Sequence, residues 1–81
     1  MLYIRPQGRK DMDDKITNQV KEFRVRMGYT QEELADVVGV SRQSINAIER
    51  GRYTPSLPLA LRFARAFNCT IEDLFQLAEE K

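Results

Sequence analysis

The sequence predicts an all-α fold, arranged as a compact bundle of five short helices. Apolar residues recur at steps of three and four along most of the chain, which is the spacing of one helix face. Serine or threonine precedes most of these apolar stretches and glycine follows several of them, as expected at helix starts and ends. The chain has 81 residues, enough for one small domain, which we assign to residues 15–81.

Residues 1–14 are predicted to form an N-terminal arm or a disordered tail outside this bundle. The apolar run at positions 2–4 favours an extended backbone, whereas Pro6 and Gly8 discourage a helix and charged residues follow. Such an arm could pair with a second subunit or reach DNA. Met12, just before the first helical pattern, leaves open that the protein starts there and has no arm.

The first two helices are predicted from Lys15 and from Thr30. The apolar face of the first consists of residues at steps of four, three and four: Ile16, Val20, Phe23 and Met27. Gly28 ends this helix in the manner of a C-terminal cap. Thr30 and Glu33 have the spacing of a capping box at the start of the second helix, and Gly39 ends it. The inner face of the second helix is formed by Leu34, Ala35 and Val38.

Three further helices follow, each with a predicted cap. Ser41 caps a helix at 41–50, whose inner side carries Ile45 and Ile48. Ser56 caps the fourth helix, with a proline tolerated in its first turn, and Thr70 caps the fifth. The apolar faces of the last two helices consist of Ala60, Phe63, Ala64 and Phe67, and of Ile71, Leu74, Phe75 and Ala78.

Composition excludes several classes of function. The chain has no histidine and one cysteine, Cys69, so it lacks the residues for a zinc finger, an internal disulfide, or Ser-His, Cys-His and His-metal catalysis. We therefore expect no enzyme activity, no metal and no cofactor. No apolar run approaches the ~20 residues that span a bilayer. No secretory signal is recognisable, and we expect a soluble cytoplasmic protein without a membrane partner.

Charge is unevenly distributed although the formal net charge is only +1. From Arg42 to Arg65 the sequence has five arginines and a single acidic residue, Glu49. Such a segment can present a basic surface to nucleic acid even in a nearly neutral protein. An ordinary solvated helix surface explains the same cluster equally well.

The second and third predicted helices carry the most informative pattern. They are short and are joined by Gly39 and Val40, so they must cross steeply, as in a helix-turn-helix that inserts its second helix into the major groove. Arginine can pair with guanine, and glutamine or asparagine with adenine. The candidate base-contacting residues are Arg42, Gln43, Ser44, Asn46 and Ala47. Polar outer faces are common to most helices, so this pattern alone leaves a solvated surface open.

A family resemblance strengthens the DNA-binding interpretation. The stretch YTQEELADVVGVSRQSINAIERGRYTPS, residues 29–56, closely resembles the lambda-repressor/Cro-type helix-turn-helix family, also called the xenobiotic-response-element family. The following LPLALRFARAFNCTIEDLF is similar to that family's fourth and fifth helices, so the resemblance spans roughly Ile16 to Phe75. It implies a lambda-repressor-like domain and a transcription regulator that binds double-stranded DNA.

The resemblance also implies roles for single residues. Gln31 matches a glutamine that contacts a phosphate and braces the recognition helix, and Arg52 matches a position that often meets the DNA backbone. Arg24 and Glu49 match a salt bridge between the first and third helices. Base contacts are implied for Arg42, Gln43 and Ala47. Together with hydroxyl and guanidinium groups nearby, the candidate phosphate contacts are Thr30, Gln31, Arg50, Arg52 and Tyr53.

One such module makes few base contacts, so we expect a homodimer on a palindromic operator. Family members without added domains commonly dimerise through the fifth helix, and our candidates are Leu74, Leu77 and the loop before Thr70. The bound dimer would act as a repressor by blocking RNA polymerase, or as an activator by contacting it. Alternatives are an antitoxin paired with a toxin protein, a restriction-system controller, or a protein-interaction module that has lost DNA binding.

Overall fold

The computed structural model describes residues 15–78, which form five helices and a two-stranded sheet. The elements in chain order are β1 (Ile16–Asn18), α1 (Val20–Met27), α2 (Gln31–Val38), α3 (Arg42–Glu49), α4 (Leu57–Phe67), α5 (Ile71–Leu74) and β2 (Phe75–Leu77). The predicted arm at residues 1–14 lies outside the described residues. No helix within residues 15–78 is long and apolar enough to span a lipid bilayer.

The sheet corrects the expectation of an all-α fold. β1 and β2 are antiparallel, with Ile16 opposite Leu77 and Asn18 opposite Phe75. The ladder continues at both ends, because Gln19 donates its backbone N–H to Leu74 at 2.8 Å and Ala78 donates to Lys15 at 2.8 Å. The fold is therefore a helical bundle with a small sheet that joins the two ends of the described chain.

The first and fifth helices are correspondingly shorter than predicted. α1 begins at Val20 rather than Lys15, so Ile16 belongs to a strand, and α5 ends at Leu74, so Phe75 does too. Ile16 and Phe75 fit a helical spacing, but hydrogen bonds to a distant segment determine their conformation. Short apolar runs are ambiguous between helix and strand when periodicity is the sole signal.

The four predicted N-terminal caps, on α2 to α5, are confirmed. The side chains of Thr30, Ser41, Ser56 and Thr70 each accept a hydrogen bond from a backbone N–H in the first turn of the helix that follows. Each such cap contributes about 1 kcal/mol to helix stability. The predicted box of Thr30 and Glu33 is complete, and Thr70 forms a second box with Asp73.

The core lies around α4, which contacts α1, α2 and α5. Each of the five helices contributes at least one fully buried side chain, and these are Val20, Leu34, Val38, Ile45, Ile48, Phe63 and Leu74. Phe67 extends this core, with ring centroids 6.2 Å from Phe63 and 5.6 Å from Phe23. Burial of a large apolar side chain contributes about 1.5–3 kcal/mol, so these contacts fix the positions of α2 and α3.

Candidate nucleic-acid interface

α3 has two chemically different faces. Ile45 and Ile48 are 0% exposed and anchor the helix to the core. Arg42, Gln43 and Asn46 are exposed to solvent. The first two of these lie at the start of α3, which is the end from which a recognition helix reaches base edges.

The turn between α2 and α3 is held by backbone hydrogen bonds and by one arginine. Gly39 has a φ of 79°, a left-handed conformation that glycine adopts without strain. The N–H groups of Gly39 and Val40 both donate to the carbonyl of Ala35, at 2.8 and 3.0 Å. Arg62 donates from Nη1 to the carbonyl of Val38 at 3.3 Å, which satisfies one of the last carbonyls of α2. The angle between α2 and α3 is therefore fixed by bonds within the turn and by the bond from Arg62 in α4.

The ion pair between Arg24 and Glu49 is present in the structure and links α1 to α3. Arg24 Nε lies 2.6 Å from Glu49 Oε2, and Nη2 donates to Oε1 at 3.3 Å. Arg24 also donates from Nη1 to the carbonyl of Tyr29 at 2.9 Å. The two side chains are 13% and 4% exposed, respectively, so the pair is largely shielded from water. Glu49 consequently does not offset the exposed arginines near it.

Gln31 connects the start of α2 to the outer side of α3. Its Nε2 donates to Glu49 Oε1 at 3.1 Å and to Asn46 Oδ1 at 3.3 Å. This geometry provides the bracing role that the resemblance implies. Because both amide protons are engaged, a phosphate contact by Gln31 would use its backbone N–H, which has no intrahelical acceptor in the first turn.

The five candidate base-contacting residues are not equally placed. Arg42 and Gln43 are exposed at the start of α3, while Ser44 and Ala47 are half-buried on its flank. Ser44 Oγ also lies within hydrogen-bond distance, 3.1 Å, of Ser41 Oγ. Asn46 is exposed, but its Oδ1 accepts from Gln31, so its amide group is oriented by α2. Paired recognition of adenine needs an amide that can turn toward the base edge, which makes Gln43 the better candidate for it.

The candidate phosphate contacts surround the same helix. Arg50, Arg52 and Tyr53 are exposed after the end of α3, and the backbone N–H of Arg52 donates to the carbonyl of Ala47 at 2.9 Å. The hydroxyl oxygen of Thr30 accepts from the N–H of Glu33, so in this structure the hydroxyl group caps α2.

A polar cleft adds one cation that the sequence analysis did not identify. The cleft has a volume of about 380 Å³ and is lined by Lys21, Arg24, Gln31, Asn46, Glu49 and Arg50. Lys21 precedes Arg24 by three residues on α1, so the two share a helix face. That spacing is the signal that could have identified it. With Glu49 paired to Arg24, Lys21 and Arg50 give the cleft a positive charge.

The two leucines predicted for a dimer interface differ in burial. Leu74 is 0% exposed and packs inside the chain's own core, so it has no surface to offer a partner, and this part of the prediction is corrected. Leu77 is 64% exposed in β2. The loop before Thr70 contains Asn68, exposed and with a φ of 56°.

Cys69 packs against the core and is half-buried. Burial raises the pKa of its thiol, and the negative charge of Asp73 raises it further. The thiol is therefore protonated at neutral pH, as suits a small packed residue rather than a nucleophile.

Comparisons with known proteins place this geometry among DNA-binding regulators. A helix-turn-helix family model matches residues 20–74. YgzD of Bacillus subtilis, an HTH-type transcriptional regulator by name, is 56% identical over 65 residues, which cover 80% of this chain and 98% of that protein. An HTH-type transcriptional regulator of Archaeoglobus fulgidus is 52% identical over 66 residues, which cover 82% and 94%, respectively. The crystal structure of the restriction-modification controller C.AhdI from Aeromonas hydrophila is 31% identical, with a TM-score of 0.63 over 67% of this chain and 82% of that one.

Proposed function

Because the chain belongs to the lambda-repressor/Cro-type helix-turn-helix family of transcription regulators, we propose that it recognises a specific double-stranded DNA sequence by inserting α3 into the major groove. The observation that carries this proposal is the two-faced character of α3. Ile45 and Ile48 bury one side completely, and the opposite side presents exposed Arg42 and Gln43 at the helix start. A helix whose buried face fixes its position and whose exposed face carries polar groups suits contact with base edges.

Sequence preference is assigned to Arg42 and Gln43. Arginine can donate two hydrogen bonds to O6 and N7 of guanine, and glutamine can pair with N6 and N7 of adenine. Each such pair discriminates against a wrong base by about 1–3 kcal/mol. Ala47 and Ser44, on the half-buried flank, are assigned shorter contacts such as one to a thymine methyl group.

Affinity is assigned to three cations and one hydroxyl group around α3, which contact phosphates rather than bases. Arg52 and the hydroxyl of Tyr53 lie beyond the end of the helix, and Lys21 and Arg50 line the polar cleft. Contacts of this kind act on all sequences alike and weaken as salt concentration rises.

We assign the protein a homodimeric state on DNA, with two α3 helices about 34 Å apart on one side of the duplex. The interface candidates that remain at the surface are Leu77 and the loop before Thr70. A dimer bound across a promoter would repress transcription by excluding RNA polymerase. This arrangement predicts a palindromic operator, because a two-fold symmetric protein contacts two identical half-sites.

A second candidate function is the control of a restriction-modification system. The similarity to the controller C.AhdI, which extends over 82% of that chain, favours it. The same α3 surface would be used, so the two candidates differ in the genes that follow the operator. Mapping the selected operator onto the source genome tests this: an operator beside restriction-modification genes supports the controller role.

The proposed function is tested by selecting duplexes from a random pool and measuring the binding of variants to the selected sequence. We expect Gln43→Ala to relax the preference at one base position per half-site. Arg52→Ala should weaken every sequence alike and reduce the slope of log K against log salt by about one. Arg65→Ala, which removes an exposed arginine on α4, is the matched control and should change neither quantity.

Two outcomes would contradict the proposal. If the parent protein selects no sequence, the fold serves protein interaction instead. If it selects a sequence but Arg42→Ala and Gln43→Ala bind all duplexes as the parent does, then a surface other than α3 contacts the bases.

A further inference from the structure

An apolar groove lies at the end of the molecule that carries the sheet. It has a volume of about 240 Å³, and its apolar lining consists of Ile16, Pro55, Leu57, Ala60, Ile71 and Phe75. Leu57 is 65% exposed on one side of the groove. Exposed apolar surface around a concave site indicates that something covers it.

The dimensions of the groove favour side chains over a small-molecule ligand. Ligand pockets usually measure about 300–1,000 Å³ and place a few polar groups to orient the ligand. This groove is smaller, and among the described residues that line it Thr54 contributes the single polar side chain. Two or three apolar side chains of a peptide segment are a better match.

The sequence supplies such a segment next to the groove. The described chain begins at Lys15, whose neighbour Ile16 lines the groove. The 14 residues that precede it include one apolar run, at positions 2–4, followed by a mostly polar stretch. The twelve residue-to-residue steps from Ile4 to Ile16 reach up to roughly 40 Å when extended, more than enough to return to a groove that Ile16 lines. We propose that Leu2, Tyr3 and Ile4 of the same chain pack into this groove.

Occupancy of the groove would also stabilise a loop of the DNA interface. Thr54 and Pro55 form one wall of the groove, directly after Arg52 and Tyr53. A docked N-terminal segment therefore restrains the backbone that presents these two side chains. This consequence rests on the proposed DNA binding, whereas the docking itself is measured without DNA, so the two can fail separately.

The docking is tested on the full chain with methyl-labelled leucine and isoleucine. We expect nuclear Overhauser effects from the methyl groups of Leu2 and Ile4 to those of Leu57 and Ile71. The double variant Leu2→Ser/Ile4→Ser should lose them, lower the Tm, and shift the amide resonances of Ile71 and Phe75. Leu61→Ser is the matched control, because Leu61 is 53% exposed on the same helix but does not line the groove. It should leave all three readouts unchanged.

Two results would overturn the proposal. One is the absence of contacts between positions 2–4 and the groove in the parent protein. The other is a set of contacts that appears exclusively between differently labelled chains in a mixed sample, which would assign the groove to a second copy. If the parent shows the contacts and the double variant also loses DNA affinity, this result would support the further claim that docking restrains the loop around Arg52.

Discussion

The two ends of this molecule form their helices by different means. In the helix-turn-helix, each boundary is made by neighbours in sequence: Thr30 caps α2, Gly39 ends it, and Ser41 caps α3. At the sheet end, the start of α1 and the end of α5 depend on a ladder between segments about sixty residues apart, such as the bond from Gln19 N–H to the carbonyl of Leu74. Local signals therefore specify the first region, and long-range pairing specifies the second.

Asn18 connects the two regions. Its Nδ2 donates to the carbonyl of Ile48 in α3 at 2.9 Å, and its Oδ1 accepts from the N–H of Val20 at 3.0 Å. One side chain in β1 thus satisfies the first N–H of α1 and binds the end of the proposed recognition helix. The sheet end consequently influences how α3 is presented, although it lies outside the helix-turn-helix itself.

The largest expected effect comes from the polar network beneath α3. Arg24→Met should destabilise the fold by about 3 kcal/mol, because it leaves the carboxylate of Glu49 buried without its cation. For a domain of this size the Tm should fall by about 10–20 °C, measurable by thermal unfolding. The double variant Arg24→Met/Glu49→Leu should recover most of the loss. If Arg24→Met alone is neutral, the pair is not shielded as described.

A smaller effect is expected at the connection between the two regions. Asn18→Ala removes two hydrogen bonds and should cost about 1–2 kcal/mol, measured by urea unfolding. Hydrogen exchange should also show weaker protection at the start of α1 and around Ile48. Unchanged exchange at Ile48 would show that the sheet end does not support α3.

The smallest effect is expected within the ladder itself. Thr17 is exposed, and its hydroxyl makes a long hydrogen bond of 3.4 Å to the carbonyl of Gln76. Thr17→Ala should change the free energy of unfolding by no more than about 0.5 kcal/mol, as is usual for exposed positions. Since it lies beside Asn18 in the same strand, it also serves as the control for Asn18→Ala. If Thr17→Ala costs as much as Asn18→Ala, then contacts between β1 and β2, rather than the hydrogen bonds of Asn18, stabilise the sheet end.

These differences explain what could be predicted from the sequence. Thr30, Ser41, Ser56 and Thr70 are predictable as caps because the partner of each lies three residues further along the chain. The pairing of Arg24 with Glu49 is predictable from the family resemblance. Spacing does not predict it, because 25 residues separate the two side chains.

The sheet could not be predicted because it requires knowledge of two distant segments at once. Ile16 and Phe75 fit the helical spacing, and the residues beside each of them carry no signal for a partner strand. The assignment of Leu74 to a dimer interface follows from the resemblance alone, whereas the apolar spacing of the fifth helix already indicates the burial that the structure shows. Lys21 was overlooked because the cleft it lines is assembled from three different helices.

The most direct test of the central claim, that α3 contacts bases in the major groove, is a double-mutant cycle between protein and DNA. Each adenine of the selected operator is replaced in turn by 7-deazaadenine, which removes the N7 acceptor from the major groove, and binding is measured with the parent and with Gln43→Ala. We predict a coupling energy of about 1–3 kcal/mol at one adenine per half-site and none elsewhere. Strictly additive effects at every adenine, repeated for Arg42→Ala with 7-deazaguanine, would contradict the placement of α3.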